Sequence, residues 1–270
     1  MKETALSRFY DSEKYLICPK CASPLKLKER SLVCANGHCY DISKHGYVNL
    51  IPGAKKSESY DRESFKDRRI ILEAGYYDHI LFGINERIFG DTVVDAGCGE
   101  GYYSKNISAK KLFAFDISKD SVALAAKGDN KVCWFTADLA AIPLRDSFAD
   151  TVLNIFTPAN YSEFKRVLKK DGRLVKAVPG KDHLKELRYV LKDELSSYEY
   201  SNDRIIEHCR KNFDIIDITE FTKTYDITDE HKRALTSMTP LMFGVTKEKD
   251  FSGLTEITIS AVLITAVLKQ

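Results

Sequence analysis

The chain has 270 residues, 44% of them hydrophobic and 30% charged, with a formal net charge of +2. That is length for one large α/β domain plus a small one, with the balance of a soluble globular protein. The near-neutral charge excludes a global polycation, so a nucleic-acid partner requires a local basic surface.

The first residues, Met1–Leu6, carry no apolar signal core, and the long apolar run at 257–268 is interrupted by Thr and Ser and is too short to span a bilayer. A cytoplasmic, membrane-free protein is the expectation. In that reducing setting the seven cysteines read as metal ligands or buried apolar groups rather than disulfides.

Residues 1–50 hold most of the cysteines, with short β-like runs at Leu25–Leu27 and Ser31–Val33. A segment this short buries little core unaided and calls for a metal staple. Cys18 and Cys21, then Cys34 and His38, give a Cys-x2-Cys-x12-Cys-x3-His spacing. Two turns that each present a pair of soft or borderline donors suit tetrahedral zinc, and four protein ligands make the site structural. Cys39, next to His38, competes for the fourth position. Basic candidates for a partner surface are Lys20, Lys26, Lys28 and Arg30, then Lys55 and Lys56, and Arg62, Lys66, Arg68 and Arg69.

Residues 51–60 read as a linker. Residues 61–89 have helical spacing, with a break at Gly75. From residue 91 strands and helices alternate. Strands are expected at Thr92–Asp95, Leu112–Asp116, Val132–Thr136, Thr151–Phe156 and Arg173–Val178, with helices near 101–108, 118–127, 160–169 and 181–195. This order predicts a parallel, doubly wound sheet. Two β-rich runs, Phe213–Tyr225 and Thr255–Leu268, flank a helix near 228–237 and complete a seven-stranded sheet with a reversed last strand. The domain boundaries so read are 1–50, 51–90 and 91–270.

Val93-Val94-Asp95 runs into Gly97, Gly99 and Gly101, an Asp-x-Gly-x-Gly-x-Gly turn. Tyr102 stands where the dinucleotide fingerprint needs its last glycine. The turn instead suits S-adenosylmethionine (SAM), whose amino-acid part and ribose pass close over such a backbone. Asp116, ending the next strand, is placed to accept ribose hydroxyls. Asp138, after the third strand, is placed for the adenine amino group.

Several further runs share one pattern. They are Cys18-Pro-x-Cys21, Cys34-x3-His38-x-Tyr40-Asp41, Lys44-x-Gly46-Tyr47-Val48-Asn49-Leu50, Arg68-Arg69, Ala74-Gly75-Tyr76-Tyr77, Pro179-Gly180-x-x-His183-Leu184-x-Glu186-Leu187 and Met238-Thr239-Pro240. With the glycine turn, they make the chain resemble, in order and over its whole length, the 23S rRNA (guanine-N1) methyltransferases of RlmA type, which include macrolide-resistance members. The Gly46–Leu50 run is the specific part, since generic SAM enzymes lack it.

The resemblance implies a class I, Rossmann-like SAM-dependent methyltransferase fold carrying a small N-terminal zinc-binding domain. It implies Cys18, Cys21, Cys34 and His38 as zinc ligands, and Tyr77, Gly99, Glu100 and His183 as SAM contacts. The implied reaction is methylation of guanine N1 in a hairpin loop of 23S rRNA domain II, with macrolide resistance as a consequence of such modification. Asn154–Pro158 departs from the family around its proline, and it borders the target base. His183 is the candidate proton acceptor, with SAM contact the favoured role. Tyr76, Tyr102, Phe156 and Tyr161 are candidates for stacking on the base. A homodimer that clasps one hairpin fits two narrow modules. The alternative is a small-molecule SAM methyltransferase with a structural zinc ribbon.

Overall fold

The computed structural model describes residues 6–53, 62–195, 200–242, 245 and 249–269. Lys55, Lys56 and most of the expected 51–60 linker lie outside them, as does the side chain of Arg62.

Three short strands, β1 (Lys26–Lys28), β2 (Ser31–Val33) and β3 (Cys39–Asp41), form an antiparallel ribbon. A fourth, β4 (Tyr47–Asn49), leaves it and pairs in parallel with β7 (Cys133–Thr136), Tyr47 opposite Trp134. Further along the chain come β5 (Thr92–Ala96), β6 (Lys111–Asp116), β8 (Ala149–Ile155), β9 (Leu168–Pro179), β10 (Phe213–Asp226) and β11 (Glu256–Leu268). The large sheet runs β10-β11-β9-β8-β5-β6-β7-β4. The seven expected strands are therefore present, with β11 antiparallel to β9. The Tyr47–Asn49 strand is an eighth, at the edge.

Helices α1 (Arg62–Glu73), α2 (Asp78–Asn85), α3 (Tyr102–Asn106), α4 (Lys119–Ala126), α5 (Tyr161–Val167), α6 (Lys185–Val190), α7 (Asp203–Asn212) and α8 (Asp229–Met238) cover the sheet. Their starts are written locally. Ser118, Asn160 and Thr228 each accept a hydrogen bond from a first-turn backbone N–H of α4, α5 and α8. The central strand β5 is buried throughout, as a parallel strand covered on both faces must be. The edge strand β10 alternates between exposed and more buried positions.

The N-terminal ribbon shares a core with the sheet. Phe9, Leu16, Leu25 and Leu32 are fully buried in one cluster with Phe113, Phe115 and Phe135. Tyr15 packs edge-on to Phe113 with ring centroids 4.8 Å apart, and Leu16 bridges to Leu144. The first fifty residues thus lean on the larger sheet for the apolar burial they are too short to achieve alone.

Candidate functional site

Two sites take shape. In the ribbon, Ala22 N–H closes back on Cys18 O at 2.8 Å and Gly37 N–H on Cys34 O at 3.0 Å, making the two ligand turns. These bring Cys18, Cys21, Cys34 and His38 together, their donor atoms all within 4.8 Å of one another. Cys18 Sγ and Cys34 Sγ each lie 3.4 Å from His38 Nδ1, and Cys21 Sγ lies 3.7 Å from Cys34 Sγ. Zinc–sulfur and zinc–nitrogen bonds at tetrahedral corners imply edges of roughly 3.5–3.8 Å, close to these three separations. Tyr40 Oη, 3.3 Å from Cys18 Sγ, supports the set from outside. Cys39, the competing thiol, starts β3 and is exposed, outside the cage.

The second site lies at the C-terminal ends of the parallel strands, where open α/β sheets bind ligands. Gly97 N–H donates to Phe115 O at 2.9 Å, tying the turn to β6. Gly101 has φ +80°, and a Cβ there would sit 2.4 Å from the Trp134 ring, so no side chain is admitted. Gly99 also has positive φ, but a Cβ on it would meet nothing within 4 Å. The turn is thus tight against the protein at Gly101 and open at Gly99.

Gly99 N–H and Ser118 N–H donate to the two oxygens of Asp116, at 3.0 and 2.8 Å. The carboxylate is held at the end of β6 with lone pairs remaining for a diol. Asp138 is exposed beyond β7, one oxygen accepting Ala140 N–H at 2.8 Å.

Asp95 is 1% exposed; Ser104 Oγ donates to its Oδ2 at 2.5 Å, and its Oδ1 has no partner. Burial pushes its pKa up to about 7 against that hydrogen bond. Glu100 faces Arg68 at 3.4 Å, and its buried Oε2 is also unpartnered. Two buried carboxylates with unpartnered oxygens beside an open glycine turn fit a cationic cofactor, as SAM is, and Asp116 fits its ribose.

Next to this lies a cavity of about 350 Å³, walled by Tyr77, Tyr103, Phe156 and His183, with Arg68 and Arg188 also in its lining. The Phe156 and His183 rings are near-parallel, 18° apart with centroids separated by 6.2 Å, and Tyr77 stands edge-on to both. Phe156 takes a left-handed backbone, φ +52°, which costs a bulky residue energy and marks an imposed position. His183 Nδ1 accepts the Ser260 N–H at 3.2 Å, so the neutral ring carries its proton on Nε2 and presents a donor. Burial, reinforced by Arg188 and His79, lowers its pKa to about 3. Of the other aromatic candidates, Tyr76 bonds to Asp226 O and His231, and Tyr102 to Asp78. Tyr161 packs edge-on to His208.

Lys176 was absent from the sequence-based candidates. It is 4% exposed in β9, its Nζ donating to Asn154 Oδ1 at 2.5 Å and Thr157 O at 3.2 Å. Burial lowers its pKa to about 8. The available signal was a lone cation inside the apolar run Leu174-Val175-Lys176-Ala177-Val178. Arg68 appeared in the sequence as a basic residue and in the Arg68-Arg69 run of the resemblance, but its pairing with Glu100 was not legible, since it joins elements far apart in the chain.

Comparison with known proteins bears on both sites. The family described as "RlmA, N-terminal" matches residues 16–59, and the family described as "Methyltransferase domain" matches 94–176. YxjB of Bacillus subtilis, provisionally described as a 23S rRNA (guanine-N(1)-)-methyltransferase, is 34% identical over 86% of this chain and 88% of its own. The chain belongs to the 23S rRNA (guanine-N1) methyltransferase family. The 23S rRNA (guanine(748)-N(1))-methyltransferase of Streptomyces fradiae is 30% identical over 92% of this chain and 94% of its own. A SAM-dependent methyltransferase structure from Thermotoga maritima aligns with TM-score 0.50 and 16% identity, over 77% of this chain and 98% of that one, and attests the fold. The chain is accordingly a SAM-dependent methyltransferase of this family with an N-terminal zinc ribbon, in which Cys18, Cys21, Cys34 and His38 form a cluster consistent with structural zinc.

Proposed function

We propose that this enzyme methylates N1 of a guanine in a hairpin loop of 23S rRNA domain II, acting in the cytoplasm. The observation that carries the reading is the aromatic-walled cavity beside the cofactor turn. Its near-parallel Phe156 and His183 rings suit a flat heteroaromatic base, and a loop base is free to be splayed out and stacked.

Bound SAM supplies an electrophilic methyl group on a sulfonium. Asp95, Gly97, Gly99, Glu100, Gly101, Asp116 and Asp138 would hold it, with Tyr77 and His183 as further contacts from the adjoining cavity wall. His183 donates from Nε2 and orients; its engaged Nδ1 and lowered pKa argue against service as the proton acceptor. The chain's main contribution is to place base and methyl in line, converting an encounter into a local reaction. The ribbon offers exposed Lys20, Lys26, Lys28 and Arg30 to the hairpin phosphates, with Lys26 and Lys28 on one side of β1.

The test is turnover on a domain II hairpin transcript. N1 methylation blocks Watson–Crick pairing, so reverse transcription should stop at one guanine after incubation with enzyme and SAM. Absence of a stop, with methyl transfer to small amines or acids instead, would overturn the reading.

A further inference from the structure

Phe156 and Pro179 line the aromatic cavity on one side and a second cavity, of about 520 Å³, on the other. The second differs in character. Its lining contains Lys176, Arg204 and His208 and, among the described residues, no carboxylate.

Arg204 and His208 are exposed, four residues apart on α7 and therefore neighbours on one helix face. Lys176 approaches from β9 with two of its three N–H donors committed to Asn154 and Thr157. Those two bonds also fix the turn that sets Phe156 between the cavities. Three nitrogen donors with no countering acid among the described lining residues favour an anion, and the volume admits one nucleotide unit.

The geometry points to this second cavity as the seat of the phosphodiester and sugar next to the target guanosine, held by Lys176, Arg204 and His208 beyond the Phe156 divider. The inference rests on the reading of the substrate as an RNA hairpin. It assigns register: the flipped base enters the aromatic cavity while its neighbour's backbone is gripped on the other side of one ring. Lys176 has a double role, as positioning residue for the Asn154–Pro158 turn and as anion contact.

The experiment measures hairpin methylation by the full-length enzyme and by the Arg204→Ala, His208→Ala and Lys176→Gln variants. SAM affinity is followed in parallel, and hairpin affinity is measured across a salt series. Arg204 and His208 lie on the surface, so their loss leaves the core intact even if Lys176→Gln folds poorly. For Arg204→Ala we expect a roughly tenfold rise in KM for the hairpin, unchanged SAM affinity, and a salt slope shallower by about 0.7, the counterion signature of one lost phosphate contact. Unchanged KM and slope in both surface variants, with an active wild type, would overturn the subsite alone. A wild-type enzyme that leaves the hairpin unmethylated would overturn the rRNA reading beneath it and the subsite with it.

Discussion

Asp95 is the residue on which the cofactor site turns. Its carboxyl is buried, half-partnered and raised from an ordinary value near 3.8 to about 7. A group raised on folding binds its proton more tightly in the native state. Its contribution to stability is complete below about pH 4, falls as pH rises, and is lost above about pH 7. Ligand-free enzyme should therefore lose stability across that window. Asp95→Asn should flatten the loss, gaining roughly 1–4 kcal/mol at pH 8 by denaturant titration. A cationic cofactor reverses the preference by favouring the carboxylate. SAM affinity should thus rise between pH 6 and 8 in the wild type and lose that dependence in Asp95→Asn, as calorimetric titration at several pH values would read. His183→Asn, which removes the ring wall, should cost roughly 10- to 100-fold in methyl transfer and remove no limb of the pH–rate profile near 6–7. A limb lost on this substitution would restore His183 as the proton acceptor. Asp95 was legible in the sequence because the glycine turn follows it directly. The His183 tautomer was not, since its partner Ser260 lies 77 positions away on β11.

The element that changes the picture most is β4. The Gly46–Leu50 run stood out in the sequence as specific, yet its apolar alternation is too short to declare a strand. Its partner β7 lies more than eighty residues on, a pairing no local pattern reveals. Asn49 accepts a hydrogen bond from Thr136 Oγ1, and Tyr47 lies opposite Trp134, the single tryptophan of the chain. The zinc turns precede this strand, and the ribbon core merges with Phe113, Phe115 and Phe135. Metal loss should therefore propagate into the sheet. Chelation, or Cys34→Ala, should lower the unfolding midpoint followed by Trp134 fluorescence by roughly 10 °C. A ribbon that melts alone, leaving the tryptophan midpoint unmoved, would contradict the shared core. The alternating strands and helices from residue 91 were readable because each strand is an apolar run bounded by turn or cap residues. Lys176 was hidden by the same logic: its burial is tolerable because Asn154 Oδ1 and Thr157 O, on the adjoining strand end, accept its hydrogen bonds.

At the scale of the whole molecule, a net charge of +2 conceals a division of labour. One basic face lies on the ribbon, and a second set of donors lines the cavity beyond Phe156. Lys26→Glu with Lys28→Glu should weaken hairpin binding about tenfold or more at moderate salt, flatten its salt dependence, and leave SAM affinity intact. Equal RNA affinity in that variant would remove the ribbon from the RNA interface. No helix among the described residues is long and apolar enough to cross a membrane. The family tie, the zinc cage and the cofactor turn converge on one claim, that a single 23S rRNA guanine receives its N1 methyl group from this chain. The most direct test is mass-spectrometric mapping of 23S rRNA from cells with and without the gene. The account predicts one N1-methylguanosine in the domain II hairpin that disappears on deletion and returns with the wild-type gene but not with Asp95→Asn. An identical methylation map in both strains would contradict it.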